Sequence, residues 1–246
     1  MLVLLPASEG KTAPADGPGV DLAALAFPGL APCRERLLGA LERLCAGSPA
    51  RALRALDLSA RQAGELALDA ALRTAPAAPA AEVYTGVLYG CLGLPALAPA
   101  AQARVLIASA LWGVLRPADR IPAYRLSMAA RLPRVGPLAA YWRPALRKAL
   151  PDEGLVVDLR SGAYAAAWKP RDATVVGVRA RTEGGAVMSH MVKATRGDVA
   201  RVLLEAPVAR ATPDEVAHLV AASGRRVELA RSAGGWSLAM IEPVAG

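Results

Sequence analysis

A polar turn follows the apolar start of the chain, in the stretch P-A-S-E-G-K-T (6–12). Its Gly-Lys-Thr end is similar to the end of a P-loop, which requires G-x-x-x-x-G-K-[ST]. Leu5 stands where the first glycine of that loop would lie, so we reject a P-loop. Because functional side chains often lie in loops just beyond strand ends, we interpret the turn as a candidate ligand loop in which Lys11 binds an anion. A solvent-exposed surface turn is the alternative.

A second stretch whose side chains could bind a ligand or do chemistry is L-W-G-V-L-R-P-A-D-R-I-P-A-Y-R-L-S-M (111–128). Its two prolines exclude a continuous helix, yet it is rich in large apolar side chains, which is typical of an ordered functional loop. Arg116 and Arg125 offer forked donors for a phosphate or a carboxylate.

Aromatic and acidic groups accompany these arginines. Trp112 and Tyr124 offer ring faces on which a base could stack. Asp119 could orient an arginine or act as a base. In the alternative interpretation, Arg116 and Asp119 pair to hold the loop and the aromatic side chains belong to the core.

The elements that must position these groups are read from hydrophobic spacing and turn signals. We predict a first strand at the amino terminus, an extended loop over 13–31, and strands at 155–159 and 174–180. A hairpin follows through the Glu183-Gly184-Gly185 turn into residues 186–192, and a second hairpin closes the chain around Gly234-Gly235. The predicted helices are 34–45, a helix capped by Ser59, 97–110, 138–150, 195–206, and a helix that begins at T-P-D-E (212–215) and ends at Gly224.

Strands and helices alternate irregularly in this assignment. It predicts an α+β fold, with residues 1–246 forming a single compact domain, rather than a doubly wound sheet.

The formal net charge of +8 is distributed unevenly. Residues 104–148 hold nine basic residues and a single acid, Asp119. Such a surplus favours an anionic partner, either nucleic acid or a phosphorylated ligand, although an Ala- and Arg-rich composition also arises from a GC-rich genome. No apolar stretch is long enough for a membrane span, and three widely spaced cysteines suggest neither a disulfide framework nor a structural zinc site. We expect a cytoplasmic protein without a cofactor or metal.

The stretch 111–128 resembles the hallmark L-Y-G-V-L-R-P-L-D-x-x-x-P-Y-R-L-E-M of the YaaA peroxide-stress family. Four further stretches resemble elements of that family in the same order along nearly the whole chain: P-A-S-E-G-K-T with Lys11 and Thr12, V-Y-T-G (83–86) with Tyr84, D-L-R-S-G-A-Y (158–164) with Ser161 and Tyr164, and K-A-T-R-G (193–197) with Lys193 and Arg196. Trp112 replaces a tyrosine of the family pattern, Ala7 a proline, and Ser127 and Ala163 each a glutamate. Loss of the two acids weakens any scheme that needs paired carboxylates there.

The resemblance implies a cytoplasmic bacterial protein that protects against hydrogen peroxide by limiting free iron and hence DNA damage. It also implies DNA binding by an α+β fold with a mixed central sheet, a positively charged cleft and a helix-hairpin-helix-like element.

Three functions remain open. In the first, the protein binds duplex or distorted DNA: phosphates are contacted by Lys11, Arg116, Arg125, Lys193 and Arg196, while Tyr84, Trp112 or Tyr124 stacks on a base. In the second, it is an enzyme acting on a nucleobase, nucleotide or small phosphorylated compound. Its chemical groups then come from Lys11, Asp119, Ser161 and Tyr164, and their convergence on one pocket would favour this function.

The third function is iron or haem binding. It has only His190 and His218 as histidine ligands, and no metal-binding spacing surrounds them. We interpret both histidines as structural, so any link to iron is expected to be indirect.

Overall fold

A computed structural model describes residues 1–182, 191–207, 212–232 and 234–242. The strands are β1 (Leu2–Pro6), β2 (Ala78–Pro79), β3 (Val105–Ser109), β4 (Gly113–Leu115), β5 (Arg120–Ile121), β6 (Arg131–Leu132), β7 (Gly136–Pro137), β8 (Leu155–Asp158), β9 (Thr174–Thr182), β10 (Val227–Ser232) and β11 (Gly235–Glu242). The helices are α1 (Ala31–Cys45), α2 (Pro49–Leu56), α3 (Leu66–Ala70), α4 (Ala80–Val83), α5 (Val87–Leu92), α6 (Pro99–Gln102), α7 (Leu138–Ala149), α8 (Gly162–Ala165), α9 (Met191–Glu205) and α10 (Pro213–Ala222). Short 3₁₀ helices span Pro28–Leu30, Ala60–Glu65 and Leu94–Ala96.

Seven strands form the central sheet, in the order β10-β11-β9-β8-β1-β3-β4. The five inner strands are parallel, and the edge strands β4 and β10 are antiparallel to their neighbours. The sheet is therefore mixed, and with the surrounding helices it confirms the predicted α+β class. β1 lies in the middle and pairs with β3 on one side and β8 on the other, so the carboxyl ends of these three strands meet at one edge.

Two predictions in the middle of the chain were wrong. Residues 97–110 were predicted to be one helix, but the short α6 precedes the strand β3, all of whose residues are buried. A continuous apolar run such as V-L-I-A-S fits a buried strand and a buried helix equally well, and burial in the parallel sheet selects the strand. The helix predicted after Ser59 is a 3₁₀ turn followed by the five-residue α3, and α2 was not predicted.

The carboxyl-terminal part agrees better with the sequence. Thr212 caps α10 by accepting the Glu215 N–H at 3.2 Å, and β10 and β11 form the second predicted hairpin. The first predicted hairpin falls mainly on residues 183–190, outside the described residues, but its last two residues, Met191 and Val192, begin α9. None of the helices in the described ranges has the length and apolarity needed to cross a membrane.

Candidate functional site

The turn that carries Lys11 leaves the carboxyl end of β1 at the centre of the sheet. The Ala7 N–H donates to the Ala108 carbonyl at the end of β3, at 2.8 Å. The neighbouring strand β8 ends at Asp158, and Ser161 follows it at the start of α8. Side chains that follow parallel strands therefore gather at one edge, which is where open α/β sheets bind ligands.

The stretch V-Y-T-G holds this turn in place. The Thr12 N–H donates to the Val83 carbonyl at 2.9 Å, and the Thr85 N–H donates to the Gly10 carbonyl at 3.0 Å. The Ser8 hydroxyl donates to the Thr85 carbonyl. Gly86 has φ +113°, and a Cβ there would lie 2.7 Å from the Ser8 Oγ, so a glycine is needed for the two segments to approach.

A cavity of about 670 Å³ opens above this edge. Its walls come from six separate parts of the chain, including the turn after β1, the ends of α2, α5 and α9, and the end of the hallmark stretch. The polar and charged side chains among its described lining are Ser8, Glu9, Lys11, Asp57, Tyr89, Arg125, Ser127, Ser161, Tyr164, Lys193 and Arg196. Four of these are cationic and two are acidic, which leaves a formal excess of positive charge.

Lys11 lines this cavity and lies over the rings of two buried tyrosines. Its Nζ is 4.3 Å from the centre of the Tyr124 ring and 5.6 Å from that of Tyr84, and it donates to the Ser8 carbonyl at 2.6 Å. Burial, followed by repulsion from Arg125, lowers the pKa of Lys11 to about 8. Nearby carboxylates and the ring faces oppose this shift because they favour the ammonium form.

Asp69 is a group near Lys11 that the sequence analysis missed. It is fully buried in α3, and its Oδ1 accepts the Arg125 backbone N–H at 2.8 Å. Oδ2 is buried without a hydrogen-bond partner in the described part of the chain. Burial raises the pKa of this carboxyl to about 7, although the Arg125 N–H and Lys11 both favour its ionised form. An aspartate on the apolar face of L-A-L-D-A-A-L was the available signal.

The two tyrosines below Lys11 belong to a buried chain of hydroxyl groups. Tyr124 and Tyr84 share a hydrogen bond of 2.8 Å between their hydroxyls, and Tyr124 shares another of 2.7 Å with Ser109. Burial raises the pKa of Tyr84 to about 12 and that of Tyr124 well above its usual value, so both stay protonated. Both side chains are buried, so they support Lys11 instead of offering a free ring face to a ligand.

The remaining cations reach the cavity from distant segments. Arg125 forms a 3.2 Å ion pair with Glu65 and donates to the Glu9 carbonyl at 3.3 Å. Lys193 and Arg196 come from α9. A Cβ on Gly197 would lie 2.3 Å from the Leu88 carbonyl oxygen, so this glycine lets α9 pack closely on α5 and sets where both cations lie.

Ser161 and Tyr164 complete the opposite wall. Ser161 is exposed, whereas Tyr164 is partly buried. Burial raises the pKa of Tyr164, so its hydroxyl stays protonated and can donate a hydrogen bond.

Arg116, Asp119 and Trp112 lie elsewhere. The Arg116 guanidinium donates to the Ala103 carbonyl at 2.6 Å. Asp119 accepts the Arg116 and Ala26 backbone N–H groups at 2.8 and 2.9 Å, one on each oxygen. Trp112 has no exposed surface, so its ring is not available to stack on an exposed base.

Arg34 of α1 is the second group that the sequence analysis missed. Its guanidinium is fully buried and donates to the carbonyls of Trp112, Ala26 and Val114 at 2.8 to 3.0 Å. Burial lowers its pKa to about 10. An arginine among the leucines of the apolar face of α1 was the signal.

His218 does not line this cavity and is exposed on α10. His190 lies outside the described residues. Among the described residues, no group of three or more His, Cys, Asp or Glu side chains is placed to hold a metal ion.

Comparison with known proteins gives a consistent result along the chain. The family model described as "Peroxide stress protein YaaA" matches residues 1–224. A UPF0246 protein of Streptomyces coelicolor is 45% identical in an alignment of 257 positions, which covers 98% of each chain. A UPF0246 protein of Corynebacterium efficiens is 39% identical over 93% of this chain and 95% of its own length.

Proposed function

Since this chain belongs to the YaaA peroxide stress family, we propose that it acts in the response to hydrogen peroxide by binding a phosphate-bearing ligand in the cavity around Lys11. The observation that carries the proposal is the convergence of Lys11, Arg125, Lys193 and Arg196 on one cavity. Arginine and lysine side chains are the usual protein groups that bind phosphate.

The size and lining of the cavity favour a small ligand over a duplex. Its volume of about 670 Å³ lies within the range of small-molecule sites. Its polar groups come from separate segments and surround a concave space, whereas a duplex surface relies mainly on cations spread along one face. We therefore favour a small phosphorylated compound as the ligand. DNA would fit the cavity only as a single nucleotide that is flipped out of the base stack.

DNA is the second candidate, and the surplus of basic residues in the middle of the chain favours it. Six side chains of this stretch are cationic and exposed: Arg120, Arg131, Arg134, Arg143, Arg147 and Lys148. No acidic residue occurs between Arg120 and Leu150, so nothing within the stretch offsets their charge. Such a surface could bind the backbone of a strand whose displaced nucleotide enters the cavity.

Calorimetric titration with pyrophosphate, a nucleoside monophosphate and a short DNA duplex tests these alternatives. Lys11→Ala should weaken binding of the two small ligands about tenfold or more, because it removes a partly buried cation from the phosphate site. Lys148→Ala, a change at an exposed lysine outside the cavity, is the matched control and should leave that binding unchanged.

Salt separates the two candidates further. The logarithm of duplex affinity should fall by roughly 0.9 per log unit of salt for each phosphate contact, and Lys148→Ala should reduce that slope if the exposed surface binds DNA. Absence of saturable binding by all three ligands would contradict the proposal. Peroxide survival of a deletion strain, restored by the unaltered protein but not by Lys11→Ala, links the cavity to the stress response.

A further inference from the structure

The Lys11 amine is held in the cavity without a carboxylate partner. None of the ion pairs in the described part of the chain includes Lys11. Its contacts are instead the Ser8 carbonyl and the ring faces of Tyr84 and Tyr124, and the adjacent Arg125 repels its charge. Burial in this position disfavours the ammonium form of the amine.

These surroundings also change the reactivity of the amine. Three acidic groups, Asp69, Glu65 and Glu9, favour the ammonium, but burial and Arg125 outweigh them and bring the pKa to about 8. About a tenth of the amine is then neutral at pH 7, compared with well under a thousandth for an ordinary lysine. A desolvated neutral lysine beside another cation is the arrangement that activates amines towards carbonyl groups.

We propose that Lys11 forms an imine with the aldehyde or ketone group of a phosphorylated ligand bound in this cavity. The proposal rests on the phosphate site described above. The neutral amine attacks the carbonyl carbon, a C–N bond forms, and the carbonyl oxygen leaves as water with the two protons of the amine. No oxidant, reductant or further reactant is required.

The other lining groups suit such a ligand. Arg125, Lys193 and Arg196 supply further cations for its phosphate, so the phosphate stays bound when the Lys11 amine reacts with the carbonyl group. The protonated Tyr164 hydroxyl and Ser161 can hydrogen-bond the carbonyl or hydroxyl oxygens of a sugar. A free sugar phosphate in its open-chain form and the ring-opened deoxyribose of an abasic nucleotide in DNA both present this chemistry.

Reductive trapping of the imine tests the proposal, and the small number of lysines in the sequence makes the modified residue easy to identify. The chain has only four lysines, Lys11, Lys148, Lys169 and Lys193, so each can be followed in its own peptide by mass spectrometry. The full-length protein is incubated with glyceraldehyde 3-phosphate, or with an oligonucleotide containing one abasic site, and is then reduced with cyanoborohydride. We expect the adduct at Lys11 to exceed that at each other lysine at least about tenfold at pH 7.

Two variants and two further probes complete the design. Lys11→Arg keeps a cation that cannot form the imine and should abolish the Lys11 adduct, whereas Lys169→Arg, at an exposed lysine outside the cavity, should leave it unchanged. Glyceraldehyde without phosphate should be trapped at least about tenfold less, because it lacks the group that the three cations bind. Calorimetry with glycerol 3-phosphate measures phosphate binding without a carbonyl.

Each outcome has a defined meaning. A Lys11 adduct that disappears in Lys11→Arg supports the imine, and the reagent that gives it identifies the source of the ligand. Binding of glycerol 3-phosphate without a Lys11 adduct, or with equal adducts on all four lysines, overturns the imine and leaves the phosphate site standing. Failure of glycerol 3-phosphate, glyceraldehyde 3-phosphate and the abasic oligonucleotide to bind overturns the phosphate site and the imine together. Equal trapping of the phosphate-free aldehyde overturns the assignment of a phosphorylated ligand.

Discussion

The two halves of the stretch 111–128 use the same pair of residue types in different ways. In each half the backbone N–H of an arginine donates to an aspartate at 2.8 Å: Arg116 donates to Asp119 of the same stretch, and Arg125 donates to Asp69 of α3. Asp119 is satisfied on both oxygens, and the Arg116 side chain is bound to backbone carbonyls outside the cavity. Asp69 has an unpartnered oxygen in the described structure, and Arg125 lines the cavity.

This difference separates a half whose arginine is bound to backbone carbonyls from a half whose arginine lines the cavity. A carboxylate that accepts a backbone N–H on each oxygen holds its loop in place, and Asp119 does not line the cavity. A buried carboxyl with one free oxygen and a raised pKa beside a lysine can still exchange a proton. The first half of the stretch is therefore bound to backbone groups, and the second half places Arg125 and Tyr124 beside Lys11.

The largest expected effect comes from removing the arginine that anchors the first half. Arg34→Ala removes a buried guanidinium that donates to three backbone carbonyl groups, and it should lower the free energy of unfolding by about 3–5 kcal/mol. Chemical denaturation monitored by tryptophan fluorescence measures it. Arg36→Ala, at an exposed neighbour on the same helix, should cost less than about 0.5 kcal/mol, and equal losses in the two variants would contradict the anchoring role.

Removing the carboxylate of the first half should have a smaller effect. Asp119→Ala leaves the Arg116 and Ala26 N–H groups unpaired and should cost about 2–3 kcal/mol of unfolding free energy. Pyrophosphate binding at a temperature where the variant is folded should be unchanged. A loss of affinity in the folded variant would instead assign Asp119 to the ligand site.

The raised pKa of Asp69, which holds the second half, predicts that the stability of the protein depends on pH. The pKa of Asp69 is about 7 in the folded protein and about 4 in the unfolded chain. Its contribution to the free energy of unfolding is therefore complete below pH 4 and is lost as pH rises through 7. Between pH 5 and pH 7 the loss should be about 2 kcal/mol, and Asp69→Asn should abolish it. Denaturation midpoints across this range measure the effect, with Asp16→Asn as the exposed control. The contribution of Lys11 to the free energy of unfolding changes as pH rises through 8, which lies outside the range used for Asp69.

The smallest expected effect is on pyrophosphate affinity and comes from substituting Arg125 and Arg116 in turn. Arg125→Ala should weaken pyrophosphate binding about five- to tenfold, or about 1–1.4 kcal/mol, because a cation leaves the cavity wall while the Lys11 pKa rises and partly compensates. Arg116→Ala should leave binding unchanged because its guanidinium lies elsewhere. Equal effects of the two substitutions on affinity would erase the distinction between the halves.

Sequence reasoning was most successful where one local signal determines the local structure. The T-P-D-E start of α10 and the hairpin of β10 and β11 were predicted because caps and turns act over a few residues. β3 was assigned as a helix because an apolar run carries no period once both faces are buried. The motifs singled out Lys11 and Arg125, which both line the cavity, but they gave no reason to distinguish Arg125 from Arg116, which does not.

The sequence by itself determined the family, the α+β class and the set of polar motifs, because these depend on residue type and order. Only the tertiary structure decided which motif residues meet. Parallel pairing of β1 with β8 brings Ser161 to the turn of Lys11, and close packing at Gly197 sets the place of Lys193 and Arg196. It also revealed Asp69 and Arg34, because the burial that shifts a pKa depends on long-range packing that no local pattern records. The sequence marks Lys11 as a candidate anion-binding lysine, and only the burial and the neighbouring Arg125 seen in the structure lower the pKa of its amine.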